Sequence, residues 1–192
     1  MKVDYRPKYR GVLSVYIEDD LCCDIHTSIF GKFPDLPSDC ESREALLSHI
    51  LAKEYPLAKS YTLKRLAAQS LHSSQLRKLL AEKRVSQASI DQILQDCRYY
   101  LNDDEWVQSF IKTKSKRYGP RYIIAQLRHK GIDIEESCFG VQKDQIEHLL
   151  KTRYKSRNLG DFKEKQRVIA ALMRKGFDFE QILGCIPKPI EN

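Results

Sequence analysis

The chain has no apolar run approaching the roughly 20 residues that a membrane-spanning helix needs. It also lacks a CxxC pair, an HxxxH or HExxH spacing among its five histidines, a GxSxG elbow and a glycine-rich phosphate loop. Each absence removes a class: no membrane span, no zinc or redox motif, no familiar nucleophile and no nucleotide cradle. The six cysteines (Cys22, Cys23, Cys40, Cys97, Cys138, Cys185) offer only one close pair, and that pair is adjacent. Such spacing suits small buried apolar side chains in a reducing compartment rather than a disulfide framework. The first residues, MKVDYRPKYRG, put charge where a secretory signal needs an apolar core, so a cytoplasmic protein is expected. No catalytic residue, cofactor or metal ligand is expected, which leaves binding as the function class.

Charge and helical periodicity are what the sequence has in quantity. Thirty-three Lys and Arg against 26 Asp and Glu leave +7 over 192 residues, a balance that favours anionic partners such as nucleic acid. The 42% apolar content and ten tyrosines exclude a disordered chain.

Residues 12–17 alternate, with Leu13, Val15 and Ile17 on one side, and a second short run covers 21–26. A β-hairpin is expected there. Asp19-Asp20 is a poor tight-turn pair, which predicts a loop longer than two residues. GKFPDLPSDCES then breaks regular structure, and Ser42 is placed to cap a helix carrying Leu46, Leu47, Ile50 and Leu51.

Beyond Tyr55 three segments share one grammar: LRKLLAEKRVS (76–86), IIAQLRHKGID (123–133) and VIAALMRKGFD (168–178), spaced by 47 and 45 residues. An aliphatic residue is followed by Leu at i+4, Lys at i+7, an apolar residue at i+9 and Ser or Asp at i+10. The aliphatics make a buried stripe, Gly131 and Gly176 suit the left-handed residue that ends a helix, and Ser86, Asp133 and Asp178 can cap the next one. Arg84 replaces glycine in the first copy, which predicts a helix end that is less cleanly terminated or slightly strained. Amphipathic segments 57–69, 103–117 and 143–157 precede the copies. The expected fold is all-α: tandem three-helix repeats in an elongated, curved array with a short N-terminal β-hairpin. The expected divisions are a lead-in (1–54) and three repeats (55–101, 102–141, 142–192).

Between Lys112 and Ile132 stand seven Lys or Arg and no acid. Lys112, Lys116, Arg117, Arg121, Arg128 and Lys130 are therefore candidate contacts to phosphates or an acidic protein surface, as are Lys151, Arg153, Lys155 and Arg157 in KTRYKSR. The plainer alternative is a solvated helical face, with the last run partly explained by the helix dipole. Tyr118 and Tyr122 bracket Gly119-Pro120 and either stack on bases or pack at a helix junction. Trp106 and Phe110, at i and i+4, read as core, and the recurring Lys83, Lys130 and Lys175 either form a row along the array or serve helix-end electrostatics.

The segment YYLNDDEWVQSFIKTKSKRYGPRYIIAQLRHKGID (99–133) resembles the central signature of the RecX regulatory proteins. Its elements are an L-N-D step, an apolar-aromatic helix, a basic Gly-Pro-Arg turn and a helix ending in Lys-Gly-Ile. SVYIEDD (14–20), HSSQLRKLL (72–80) and KEKQRVIAALMRKGFDFEQI (163–182) are similar to other parts of that family, with 31–42 the least alike. The exposed charge demands no dimer, so a monomer is expected, and the resemblance implies a non-enzymatic protein that lies in the groove of the RecA–DNA filament. There it would inhibit strand exchange, ATP hydrolysis and co-protease activity, and so restrain the SOS response, with direct contact to single- or double-stranded DNA. The alternative is a stand-alone nucleic-acid-binding helical module that needs no RecA.

Overall fold

Strands β1 (Val3–Pro7), β2 (Val12–Ile17) and β3 (Asp20–His26) form an antiparallel sheet in the order β1-β2-β3 in this computed structural model, which describes residues 1–186. Sequence periodicity anticipates β2 and β3 but not β1, whose apolar Val3 and Tyr5 are interleaved with Asp4 and Arg6 and stop at Pro7. The loop is also shorter than expected. Ile17 pairs with Asp20, so Glu18 and Asp19 alone make the turn, at φ 50° and 72°. Both are left-handed, as a twist-matched two-residue turn requires, and Asp tolerates that region better than most residues. Val15 faces Cys23 while Tyr16 faces Leu21, so Cys22 is the extra residue of a bulge.

After the short α1 (Thr27–Phe30), Ser42 caps α2 (Arg43–Ala68) by accepting the Ala45 N–H at 3.1 Å. The segments 42–51 and 57–69, distinct by periodicity, are one 26-residue helix, and the division expected between 54 and 55 falls inside it. Pro56 lacks the N–H that would bond the Ala52 carbonyl, yet tertiary packing on Glu54, Ala58 and Thr62, all buried, carries the helix through. The first half of α2 closes one core under the sheet: Leu13, Val15, Ile17 and Ile25 against Leu46 and Ile50. The second half shares another core with α3 (Ser73–Glu82) and α4 (Gln87–Asp96), built on Ala58, Leu76, Leu80, Ile90 and Ile93.

The remaining helices are α5 (Asp103–Ser115), α6 (Pro120–His129), α7 (Lys143–Thr152), α8 (Phe162–Arg174) and α9 (Phe179–Cys185), with single 3-10 turns at Arg98–Tyr100 and Glu136–Cys138. Two compact units emerge, Met1–Trp106 and a second beginning at Val107. In the second unit Ile146, Leu149, Val168, Leu172, Phe177 and Ile182 form the core of α7, α8 and α9. Residues 187–192, assigned above to the third repeat, lie outside the described residues.

The shared grammar has a specific geometric content. Leu76, Leu80 and Val85, Ile123, Leu127 and Ile132, and Val168, Leu172 and Phe177 are all buried. Each copy ends its helix with two crossed backbone bonds: Val85 N–H to Leu80 O (3.2 Å) with Arg84 N–H to Ala81 O (3.0 Å), and the same pairs at Ile132/Leu127 with Gly131/Arg128 and at Phe177/Leu172 with Gly176/Met173. This is a Schellman stop, in which the residue after the lysine is left-handed and the next apolar residue folds back on the buried leucine. The left-handed residues are Gly131 (φ 79°), Gly176 (φ 86°) and, against its intrinsic preference, Arg84 (φ 61°). Ser86 and Asp178 then cap α4 and α9 as expected. Asp133 does not cap a helix. The chain continues extended to the 3-10 turn, and its carboxylate turns back to Arg128.

Candidate polyanion-binding surface

The Gly-Pro joint of RYGPRY positions the surface. Gly119 is the N-cap of α6 and Pro120 its first residue, a place where proline's fixed φ and missing N–H are no handicap. The Gly119 N–H donates to Lys175 O at 2.8 Å and the Arg121 N–H to Gly176 O at 3.2 Å. The start of α6 is thus clamped onto the Schellman turn that ends α8. The approach needs both glycines: a Cβ on Gly119 would stand 2.4 Å from Gly176 O, and one on Gly176 would stand 2.3 Å from the Tyr122 nitrogen.

This clamp assembles side chains that sequence spacing keeps apart. Tyr118 and Tyr122 stack with ring centroids 4.1 Å apart and planes 11° from parallel. Lys175 Nζ lies 4.9 Å from the Tyr118 centroid and donates to Arg117 O at 3.4 Å. Burial first, then repulsion from Arg153, holds the Lys175 ammonium below the usual lysine range; Arg117 adds to the repulsion and Tyr118 opposes it. Arg117 and Lys175 therefore meet beside a stacked aromatic pair, close enough to Arg153 for its charge to act on Lys175, and Arg117 and Arg153 are exposed. Lysine at this repeat position does more than serve a helix end, a role no periodicity could reveal because it depends on a residue nearly 60 positions away in sequence.

The other candidates divide. Arg121 pairs with Asp178 at 3.3 Å and Arg128 with Asp133 at 3.3 Å, so two members of the acid-free stretch are matched by acids from outside it. Both arginines also line an open cleft of about 530 Å³ whose further lining includes Glu135 and Glu136. Lys151 pairs with Glu147 at 3.4 Å, and Arg157 with Glu164 at 3.0 Å. Arg167 and Arg157 together hold the Glu164 carboxyl below the usual carboxylate range. Among the described residues no acid pairs with Lys112, Lys116, Arg117, Lys130, Arg153 or Lys155. These side chains are exposed, except for the half-buried Lys130.

Trp106 and Phe110 are half-buried rather than core, and α5 buries no residue fully. Trp106 donates its indole N–H to Ser70 O at 3.3 Å and meets His72 edge-on at 5.8 Å, contacts that hold α5 at its first turn. No group of three or more His, Cys, Asp or Glu among the described residues could hold a metal ion. Nor is any described helix long and apolar enough to cross a membrane. The chemistry on offer is electrostatic and aromatic: unpaired cations beside stacked rings, suited to phosphates or an acidic surface.

Residues 142–186 match the third three-helix domain of RecX. A regulatory protein RecX of Bacillus subtilis is 36% identical over 93 residues, 43% of this chain and 35% of that protein. One from Leuconostoc mesenteroides is 25% identical over 191 residues, 90% of this chain and 69% of that protein. The chain spans 35 to 45% of the length of the Bacillus relatives it matches. In fold it is similar to a crystal structure of regulatory protein RecX, with a TM-score of 0.59 at 21% identity, covering 96% of this chain and 98% of that one. The domain match and the relatives agree in sequence, and the shared fold agrees with them: this chain is similar to the RecX regulatory proteins.

Proposed function

We propose that this protein binds the RecA nucleoprotein filament and lowers its strand-exchange, ATPase and co-protease activities. By that route it would restrain DNA repair recombination and the SOS response. It acts by occupancy rather than chemistry, in the cytoplasm, as a monomer and without a cofactor. The observation that carries the reading is the cluster of Arg117, Arg153 and Lys175 beside stacked Tyr118 and Tyr122, in a chain whose relatives are regulatory proteins. A filament presents both phosphates and protein carboxylates, and unpaired cations on a rigid joint suit such a mixed surface. The contact set proposed is Arg117 and Arg153 with Lys112, Lys116, Lys130 and Lys155. Arg121, Arg128, Lys151 and Arg157 join once their internal pairs exchange for filament anions.

Titration into RecA filaments assembled with ATP on single-stranded DNA tests this. ATP hydrolysis and strand exchange fall as the protein saturates the filament; no effect at saturation refutes the reading. Binding to bare DNA that matches filament binding in strength and collapses with salt would instead favour a stand-alone nucleic-acid module.

A further inference from the structure

The Lys8–Arg10 turn and the α3–α4 turn bring a second cationic cluster together in the first unit, far in sequence from the surface above. The β1–β2 loop is closed by Lys8 N–H to Val12 O (3.0 Å) and Val12 N–H to Tyr9 O (2.8 Å), and tied to α1 by Thr27 N–H to Gly11 O (2.8 Å). Arg84 Nη2 donates to the Tyr9 hydroxyl at 3.3 Å, across 75 positions of sequence. Lys83 Nζ lies 3.5 Å from His26 Nε2, and Lys8 Nζ 5.9 Å from the Tyr9 centroid. Tyr9 is 52% exposed among these cations. Asp24 pairs with Lys8 at 3.1 Å, and no other ion pair reaches Lys8, Arg10, Lys83 or Arg84 among the described residues.

Backbone strain argues that these side chains are there for a reason beyond folding. Arg84 (φ 61°) occupies the left-handed Schellman position that the other two copies give to glycine, and Arg10 (φ 44°) is left-handed as well. Glycine would relax both positions. Arginines at two strained positions, one reaching the Tyr9 hydroxyl and the other next to Tyr9 in the chain, are the kind of outlier from which function is inferred. The field of this patch also reaches His26: burial, then Lys83 and Arg84, hold its imidazole below the usual histidine range.

We propose that Lys8, Arg10, Lys83 and Arg84, with Tyr9, form a binding site for the phosphodiester backbone of single-stranded nucleic acid. The cations take phosphates in bidentate or point-charge fashion, and the exposed Tyr9 ring takes an unstacked base, which a duplex would not present. The site lies wholly within the first unit, and its oligothymidylate measurement contains no RecA, so it fails or stands apart from the RecA reading.

The substitutions that remove the charges also relax the backbone, which separates binding from folding. In fluorescence anisotropy with labelled oligothymidylate over a salt series, R10G/R84G is expected to keep or raise the thermal midpoint. It should weaken binding roughly fivefold or more, and flatten the dependence of log affinity on log salt by about 1.4, from about 0.7 per lost cation. Tyr9→Ala is expected to weaken binding roughly fivefold or more with the slope unchanged, as loss of stacking without loss of charge requires. Both effects should persist in full-length protein carrying Arg117→Glu and Arg121→Glu. Unchanged affinity and slope in R10G/R84G overturn the proposal. So does a loss of filament binding with oligothymidylate affinity intact, because that result assigns the patch to an acidic protein surface.

Discussion

Gly119→Ala isolates the clamp that builds the candidate surface. Gly119 has φ −81°, a conformation alanine adopts freely, so backbone preference is not at issue. The obstacle is space: the new Cβ would stand 2.4 Å from Gly176 O and 2.5 Å from Phe177 N, backbone atoms that no rotamer change can move aside. The turn and the helix start must separate by about 1 Å, which weakens the bonds from Gly119 N–H (2.8 Å) and Arg121 N–H (3.2 Å), each worth about 1 kcal/mol net. Forced overpacking adds about 1–3 kcal/mol, and the reduced freedom of the unfolded chain returns about 0.5 kcal/mol. The expected loss is about 2–4 kcal/mol, which in a unit of this size lowers the midpoint by roughly 4–8 °C per kcal/mol. Thermal unfolding followed by far-ultraviolet circular dichroism measures it, with Gly140→Ala as control, since a Cβ there meets nothing within 4 Å. Filament affinity should fall with stability, because Arg117 and Tyr118 are held by the same joint. A Gly119→Ala protein within about 0.5 kcal/mol of the parent, the range of an ordinary surface substitution, would refute the reasoning.

Other substitutions probe other links. Arg117→Glu with Arg121→Glu is expected to weaken filament binding at least tenfold (about 1.4 kcal/mol) while circular dichroism stays unchanged, and equal affinity would move the contact elsewhere. Glu54 is 4% exposed and accepts both the Ser86 N–H (3.0 Å) and its hydroxyl (2.6 Å), so Glu54→Ala should lower the urea-unfolding free energy by about 2–3 kcal/mol. His26 supplies a pH test. Its folded pKa lies below the ordinary 6.5, so the unfolded chain takes the proton first. The contribution is complete above the unfolded value and is lost as pH falls through the folded one. The thermal midpoint should drop between about pH 7 and pH 5, and His26→Asn, which retains an acceptor for the Ser28 N–H, should flatten that drop.

Much of the fold was legible because it is written in local chemistry. Leu80, Lys83 and Val85, with their counterparts in the other copies, spell a Schellman stop whose geometry depends on a few consecutive residues. Arg84 broke the glycine rule, and the backbone there is left-handed as that break implied. The Ser86 and Asp178 caps follow from the same short-range logic. Strand β1 was hidden because its alternation runs for only four residues before Pro7, and α2 passes through Pro56 because burial outweighs one missing hydrogen bond.

The candidate surface divides along the same line. The sequence by itself determined which side chains are cationic, that the stretch from Lys112 to Ile132 has no acid, and that Gly119-Pro120 joins two helices, since composition and helix-start chemistry are local properties. Only the tertiary structure decided which charges are unpaired and where they meet. Asp178 reaches Arg121 from 57 positions away, and the α8 turn brings Lys175 to Arg117 and Tyr118. Pairing of charges is a matter of distance in space, falling off within a few ångströms, and the distance between residues so far apart in sequence is set by the packing of helices rather than by the order of residues.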